Sequence, residues 1–263
     1  MSSNSSWRSV CAGLALMLAL AATPADARTL AAIKADGTLK VGLTGDYAPY
    51  SLRGADEKIT GADVIMAQAL AKSLGVTLAI VPTTWKTMKA DLEANRFDIA
   101  MGGVSVTPDR AAVGDFSVTV MRDGKRPIVR CADKDRYTSA AAIDRPDVRV
   151  AVNPGGTNER FDKANFPHAR LEEYPDNRKI FDEVAANNAD VMVTDGAEVD
   201  YQARRHPGVL CPAAVSDSFD HFDKAYWMTR DAALKDAVDA WLTESLKAGD
   251  YQKALAAAAA DKS

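Results

Sequence analysis

The stretch FDIAMGGVSVTPDR, from Phe97 to Arg110, is the part of the sequence that decides the fold prediction. Its first five residues, Phe97 to Met101, form an apolar run of strand length that ends at a pair of glycines. Thr107 is a preferred N-cap residue and Pro108 a preferred first helical residue, so a helix is predicted to begin directly afterwards. A strand that leads directly into a helix is the repeating unit of α/β folds.

The same alternation of strand and helix extends from this stretch in both directions along the chain. Short apolar strands are predicted at 39–43, 78–81, 149–152 and 189–193, and helices at 61–74, 85–95, 158–165, 176–186 and 195–204. This order predicts an α/β protein in which helices pack on the faces of sheets.

The alternation is interrupted twice by extended segments, at 116–130 and 216–228. Two interruptions on either side of a central α/β unit suggest that a second lobe is inserted into the first. The predicted first lobe comprises residues 28–128 and 218–263, and the predicted second lobe comprises residues 129–217.

The first residues have the layout of a secretory signal peptide. Arg8 precedes an apolar run of 13 residues from Val10 to Ala22, and Ala25-Asp26-Ala27 follows as a small-x-small cleavage site. We expect cleavage after Ala27, so that residues 1–27 are a signal peptide and the mature chain works outside the cytoplasm. The alternative is a retained N-terminal anchor, although the run is shorter than the ~20 residues that a membrane-spanning helix needs.

Cysteine, histidine and charge content narrow the class of protein further. Cys131 and Cys211 remain after the predicted cleavage, and an even pair in an oxidising compartment favours a disulfide over two separate buried thiols. The histidines, His168, His206 and His221, are scattered, so no metal site is predicted. The net charge is −4 without a basic stripe, which argues against nucleic acid as a partner. Beyond the signal segment no apolar stretch has membrane length, so we expect no membrane contact from the mature chain.

Candidate ligand-binding residues follow the predicted strands, because α/β sheets bind ligands beyond the carboxyl ends of their strands and two-lobed proteins bind between the lobes. In the first lobe these are Tyr47, Trp85, Gly103, Ser105 and Arg110. The aromatic rings can cover a flat ligand, and Gly103 lets the backbone approach it. Ser105 offers a hydroxyl, and Arg110 can bind a carboxylate through two parallel hydrogen bonds. The alternatives are aromatic residues that pack in the lobe core and a surface arginine at a helix start.

The second predicted lobe has two further candidates of this kind. The turn 153–156 leads into a helix whose free N–H groups suit a carboxylate, and Thr157 is expected to cap that helix. Asp195 at the next helix start could accept an ammonium or a hydroxyl group. Glu198 lies three residues later, where a carboxylate often reaches back to cap its own helix, so capping is the alternative to a chemical role.

Several segments resemble the periplasmic solute-binding proteins of the polar amino acid class and, more narrowly, the cyclohexadienyl dehydratases on the same scaffold. The resemblance covers nearly the whole mature chain. It rests on the strings TGDYAPYS (44–51), RFDIAMGGVSVTPDR (96–110), RDGKRPIVRC (122–131), VNPGGTNERF (152–161), YPDNRKIF (174–181), TDGAE (194–198), RRHPGVLCP (204–212) and FDKAYWMTRD (222–231).

The resemblance implies a two-lobed periplasmic-binding-protein-like fold of type II, with a cleft between lobes that two crossing strands join. It also implies a Cys131–Cys211 bridge and a periplasmic location. In the binding proteins, the counterparts of Arg110 and Ser105 hold a ligand carboxylate, and that of Asp195 holds the amino group.

In the dehydratases, the resemblance makes Glu198 the general acid, and Thr157 and Asn158 help to hold the substrate. The implied substrates are small carboxylates, prephenate and arogenate, which lose water and carbon dioxide without a metal or organic cofactor. The alternative is a non-catalytic binding protein that delivers an amino acid to a transporter, which would then be its partner.

Overall fold

The computed structural model describes residues 27–260, so nearly all of the signal-peptide prediction for residues 1–27 lies outside the described part. The chain first builds most of one lobe. Its elements in this part are α1 (Leu30–Asp36), β1 (Thr38–Leu43), β2 (Asp46–Tyr47), β3 (Ser51–Arg53), β4 (Ile59–Thr60), α2 (Ala62–Leu74), β5 (Thr77–Pro82), α3 (Met88–Glu93), β6 (Ile99–Ala100), α4 (Pro108–Ala111), β7 (Asp115–Phe116) and β8 (Met121–Asp123).

The chain then builds the second lobe and returns to the first. The second lobe contains β9 (Lys125–Arg130), a 3₁₀ turn (Cys131–Asp133), α5 (Ala140–Ile143), β10 (Arg149–Val152), α6 (Thr157–Asn165), β11 (Arg170–Glu173), α7 (Asn177–Ala185), β12 (Val191–Asp195), α8 (Gly196–Arg205) and β13 (Leu210–Pro212). The return contains β14 (Phe222–Lys224), β15 (Trp227–Met228), α9 (Ala232–Lys247) and α10 (Asp250–Ala260).

Each lobe is organised around its own five-stranded sheet. In the first lobe the strand order is β5-β1-β6-β15-β7, with β1 parallel to β5 and β6, and β15 antiparallel to its two neighbours. In the second lobe the order is β11-β10-β12-β9-β13, with β10 parallel to β11 and β12, and β9 antiparallel to β12 and β13. Mixed sheets of this kind confirm the predicted α/β class.

Two paired strands connect the lobes. β8 and β14 run antiparallel to each other and belong to neither five-stranded sheet, with Asp123 opposite Phe222 and Met121 opposite Lys224. The two-lobed fold with two crossing strands is therefore confirmed. The exact lobe boundaries, 128/129 and 217/218, stay a prediction.

Side chains of β12 show how the second lobe is held together. Successive strand residues point to opposite faces of a sheet. Val191 and Val193 accordingly pack in one apolar cluster with Phe166, while Met192 packs in another with Phe181. The sheet is thus covered on both faces, and the C-terminal ends of its parallel strands face the cleft.

The Cys131–Cys211 disulfide is present in the second lobe, where it links the end of β9 to β13, so the predicted bridge is confirmed. The helix predicted at 85–95 is shorter than expected, because Thr84 and Thr87 form a hydrogen-bonded turn around Trp85 and α3 begins only at Met88. Within residues 27–260, no helix combines the length and the apolar character that crossing a membrane requires.

Candidate active site in the interlobe cleft

The cleft between the lobes collects most of the predicted site residues. It has an empty volume of about 340 Å³, part of which is open to solvent. Both lobes contribute polar and aromatic groups to its walls, and the lining residues are Tyr47, Trp85, Gly103, Ser105, Asn153, Gly156, Thr157, Asn158, Asn177 and Asp195.

Arg110 lies directly beside this lining, held between two tryptophans. Its guanidinium carbon is 5.9 Å from the centre of the Trp85 ring and 6.0 Å from that of Trp227, and its Nη1 donates to the Ser105 carbonyl at 2.8 Å. The residue is only 6% exposed, so the surface-arginine alternative is wrong. Burial and the nearby Arg160 lower the pKa of Arg110 to about 10, which still leaves a cation at neutral pH.

Two helix N-termini at the cleft are capped differently. Thr107 caps α4 as predicted, accepting from the Arg110 backbone N–H at 3.4 Å. Thr157 does not cap α6, because Gly156 is the N-cap residue and Thr157 is already inside the helix. The Thr157 hydroxyl instead accepts a hydrogen bond from Lys125 Nζ at 3.0 Å, which corrects the sequence prediction.

Asp195 lies at the end of β12, where its carboxylate meets two buried lysines. Lys125 Nζ donates to Oδ1 and Lys224 Nζ donates to Oδ2, each at 2.5 Å. The Tyr47 hydroxyl also donates to Oδ2. Burial by itself raises the pKa of Asp195, but the two ammonium groups outweigh burial and hold this pKa well below its usual value.

The sequence analysis missed Lys125 and Lys224, although both are only 1% exposed. The signal for Lys125 is its strand position, because Lys125, Pro127 and Val129 alternate on the buried face of β9. Lys224 ends β14, so the two lysines lie at the two places where the chain passes between the lobes. A lysine on a buried strand face requires a partner, and Asp195 supplies it for both.

Glu198 lies in the first turn of α8 and is 1% exposed. Its Oε1 accepts from Asn177 Nδ2 at 2.9 Å, and its Oε2 is 2.6 Å from the Thr194 hydroxyl. The capping alternative is wrong, because both oxygens bind these side chains and not the start of the helix. Burial, reinforced by the charge of Asp195, raises the pKa of Glu198 to about 8, so that the carboxyl group is protonated at neutral pH.

Asn177 connects this acid to the opposite lobe. Its Nδ2 donates both to Glu198 and to the Asp46 carbonyl, at 3.0 Å, so one side-chain amide spans the cleft. The sequence analysis gave Asn177 no role, although it lies in the string YPDNRKIF. Asn158 Nδ2 supports the acid from the other side by donating to the Thr194 hydroxyl at 2.9 Å.

Metal ligation finds no support in the described part of the chain. Between residues 27 and 260, no cluster of three or more histidine, cysteine, aspartate or glutamate side chains is placed to hold an ion. Both carboxyl groups at the base of the cleft, Asp195 and Glu198, are bound by lysine, amide and hydroxyl groups.

Two α/β lobes joined by paired strands, with a buried polar cleft between them, define a two-lobed ligand-binding protein. The sequence matches the family of bacterial extracellular solute-binding proteins, family 3, over residues 39–257, and the chain belongs to this family.

The chain is similar to a cyclohexadienyl dehydratase and to related solved structures. The chain is 44% identical over 226 residues to the cyclohexadienyl dehydratase of Pseudomonas aeruginosa, covering 86% of this chain and 84% of that protein. An ancestral cyclohexadienyl dehydratase structure is 47% identical, covers 88% of this chain and 95% of its own, and has a TM-score of 0.54. An ancestral amino acid-binding protein, a precursor of cyclohexadienyl dehydratase, is 35% identical with a TM-score of 0.79, covering 87% and 98%.

Proposed function

We propose that this chain is a periplasmic cyclohexadienyl dehydratase that converts prephenate to phenylpyruvate and arogenate to phenylalanine. The observation that carries the proposal is Glu198, a protonated carboxyl group at the base of the cleft. The relative from Pseudomonas aeruginosa supports the same assignment. Export follows from the predicted signal peptide at residues 1–27 and agrees with an extracellular family.

The reaction requires one proton at one oxygen atom. Glu198 donates its proton to the ring hydroxyl, the carbon–oxygen bond breaks and water leaves. The bond to the ring carboxylate breaks at the same time, its electron pair enters the ring, and carbon dioxide leaves an aromatic product. Positioned proton transfer of this kind contributes roughly 10²–10⁴-fold to a rate.

The environment of Glu198 suits a proton donor. It does not suit a nucleophile or an anionic ligand contact in a transport receptor. Its partners are a neutral amide and a neutral hydroxyl, so no cation stabilises the ionised form. A pKa of about 8 keeps the proton available at neutral pH. The ionised form that remains after proton transfer is unstable in this buried place, which favours rapid reprotonation.

Cationic groups on both walls can hold the substrate carboxylates. Arg110 lies on the first-lobe side, where it is fixed between Trp85 and Trp227. On the second-lobe side the free N–H groups at the start of α6 form the second anion-binding place, and Lys125 fixes this helix start by donating to Thr157 and Asn158. A substrate with two carboxylates matches these two anion-binding places better than an amino acid with one.

Closure of the lobes would exclude water while the reaction takes place. The Asp46 carbonyl of the opposite lobe accepts a hydrogen bond from the same Asn177 amide that binds Glu198, so closure fixes the orientation of this amide. Gly155 also approaches the other lobe closely, because a Cβ atom there would come within 2.6 Å of the Lys86 backbone.

Turnover of prephenate by the purified mature chain tests the proposal, with phenylpyruvate followed by its ultraviolet absorbance. Glu198→Gln should lower kcat by roughly 10²-fold or more, since it removes the proton and keeps the shape. The matched control is Asp200→Asn, which removes a half-exposed carboxylate from the same helix and should leave kcat unchanged. Absence of turnover in the wild type, together with tight binding of an amino acid, would replace the proposal with a transport receptor.

A further inference from the structure

Asp195 is the carboxylate of the cleft that a ligand ammonium group would need, because Glu198 is protonated. Both of its oxygens are already bound, Oδ1 by Lys125 and Oδ2 by Lys224 and the Tyr47 hydroxyl. A third ammonium group would therefore find no free oxygen there and would face two existing cations. Like charges at such short range repel strongly in a buried site.

Further contacts hold the Lys224 ammonium at Asp195, so that a ligand ammonium group cannot displace it. Its Nζ also donates to the Gly103 carbonyl at 3.0 Å, which removes a second acceptor from the cleft wall. The ammonium lies 5.1 Å from the centre of the Tyr47 ring, 5.4 Å from that of Tyr50 and 5.3 Å from that of Phe222. Rings that surround a desolvated cation hold it by cation–π attraction.

Other acceptors on the walls are occupied by cations in the same manner. The Thr157 hydroxyl and the Asn158 side-chain oxygen accept from Lys125. The Ser105 carbonyl accepts from Arg110. Asn177 Oδ1 is buried without a partner among the described residues. This oxygen is uncharged and lies beside Glu198, so it suits the ring hydroxyl of the substrate, which Glu198 protonates.

We infer that Lys224, by occupying Asp195 and the Gly103 carbonyl, makes the cleft select 2-oxo acids over the corresponding 2-amino acids. The inference rests on the proposed dehydratase function and sharpens it, since prephenate carries an oxo group where arogenate carries an ammonium group. Lys224 is thus a specificity-determining residue, and prephenate is the preferred substrate of the pair.

Ligand pairs that differ only at this group give a direct test. The kcat/KM for prephenate should exceed that for arogenate by at least tenfold in the wild-type chain. Phenylpyruvate should bind at least tenfold more tightly than phenylalanine in calorimetry. Equal or reversed values for either pair in the wild type would overturn the inference without any variant.

The variant Lys224→Met identifies the residue responsible, because it keeps an unbranched apolar chain in place of the lysine stem and removes the ammonium group. It should lower the ratio of phenylpyruvate to phenylalanine affinity at least tenfold by freeing Asp195 Oδ2 for the ligand ammonium. Lys235→Met is the matched control, since Lys235 pairs with Asp239 on α9 away from the cleft, and the ratio should not change. An unchanged ratio in a folded Lys224→Met chain would also overturn the inference.

The two hypotheses fail in different ways. Calorimetry with phenylpyruvate and phenylalanine needs no turnover, so it measures selectivity even if prephenate is not converted. Conversion of both substrates at equal kcat/KM would keep the dehydratase and reject the role of Lys224. If Lys224→Met does not fold, the wild-type kcat/KM ratio for prephenate and arogenate and the affinity ratio for phenylpyruvate and phenylalanine decide the question.

Discussion

Asp195 and Glu198 lie one helical turn apart and are both buried, yet Asp195 is ionised and Glu198 is protonated at neutral pH. Two lysine ammonium groups bind Asp195, whereas Glu198 meets only an amide and a hydroxyl group. Burial raises the pKa of either carboxyl group, and only the cations around Asp195 reverse that effect. The charge state of a buried carboxyl group is thus decided by its partners and not by its depth.

The two environments also depend on each other. The negative charge of Asp195 adds to burial in raising the pKa of Glu198. Lys125 and Lys224 keep that negative charge in place at neutral pH and so contribute indirectly to keeping Glu198 protonated. Titratable pairs whose surroundings drive their pKa values apart are typical of acid–base sites.

The largest effect is expected from Asp195→Asn, which leaves two buried ammonium groups without a carboxylate. Removing one partner of a buried ion pair costs about 3–5 kcal/mol of unfolding free energy, because the remaining charge is uncompensated. Urea unfolding at pH 7 measures this loss. Asp200→Asn is the control, because its ion pair with Arg126 is half exposed and contributes about 0–1 kcal/mol. Similar losses in the two variants would show that the lysines do not depend on Asp195.

A second, slightly smaller effect comes from the pH dependence of stability. Glu198 has a folded-state pKa of about 8 against 4.5 for the free group, so above pH 4.5 the unfolded chain loses its proton first and stability falls as the pH rises towards 8. The slope is at most about 1.4 kcal/mol per pH unit. Glu198→Gln lacks this titration, so its unfolding free energy should gain about 3 kcal/mol relative to wild type between pH 4.5 and pH 7.

Paired urea titrations of both chains at pH 4.5, 5.5, 6.5 and 7 check this prediction. Other carboxyl groups titrate alike in the two chains and cancel in the difference. A difference that does not change with pH would mean that Glu198 is ionised in the folded chain, and the contrast with Asp195 would disappear.

The contrast also shows what the sequence reveals and what it hides. The α/β alternation and the two interruptions predicted the two-lobed fold, because periodicity and strand ends are local properties. Asp195 and Glu198 became candidates for the same reason, since both follow a predicted strand, whereas the acid role of Glu198 came from the family resemblance. Their different protonation states were not visible in TDGAE, because the two lysines that keep Asp195 ionised come from distant parts of the chain.

Lys125 is 70 residues from Asp195 in sequence, and Asn177 is 21 residues from Glu198. Such contacts form only when the two lobes and the crossing strands are assembled. Thr157 shows the same limit on a smaller scale. Its residue type suits a helix cap, but the nearby Lys125 and the cap position of Gly156 gave its hydroxyl a different partner.

The smallest effect is expected from Thr194→Val, which keeps the shape of the side chain and removes its hydroxyl group. That hydroxyl binds Glu198 Oε2 and accepts from Asn158, and its hydrogen bond lowers the pKa of Glu198 against the effect of burial. Loss of a hydrogen bond costs about 1 kcal/mol, so kcat for prephenate should fall about fivefold at pH 7. The pH at which kcat declines should move upwards, because the ionised acid has lost a stabilising donor.

Thr229→Val, buried in the first lobe near Asp98, is the control and should leave the pH profile unchanged. A downward movement would show that Thr194 stabilises the protonated form of Glu198. A specific partner would then keep Glu198 neutral, and the lack of nearby cations would no longer explain its difference from Asp195.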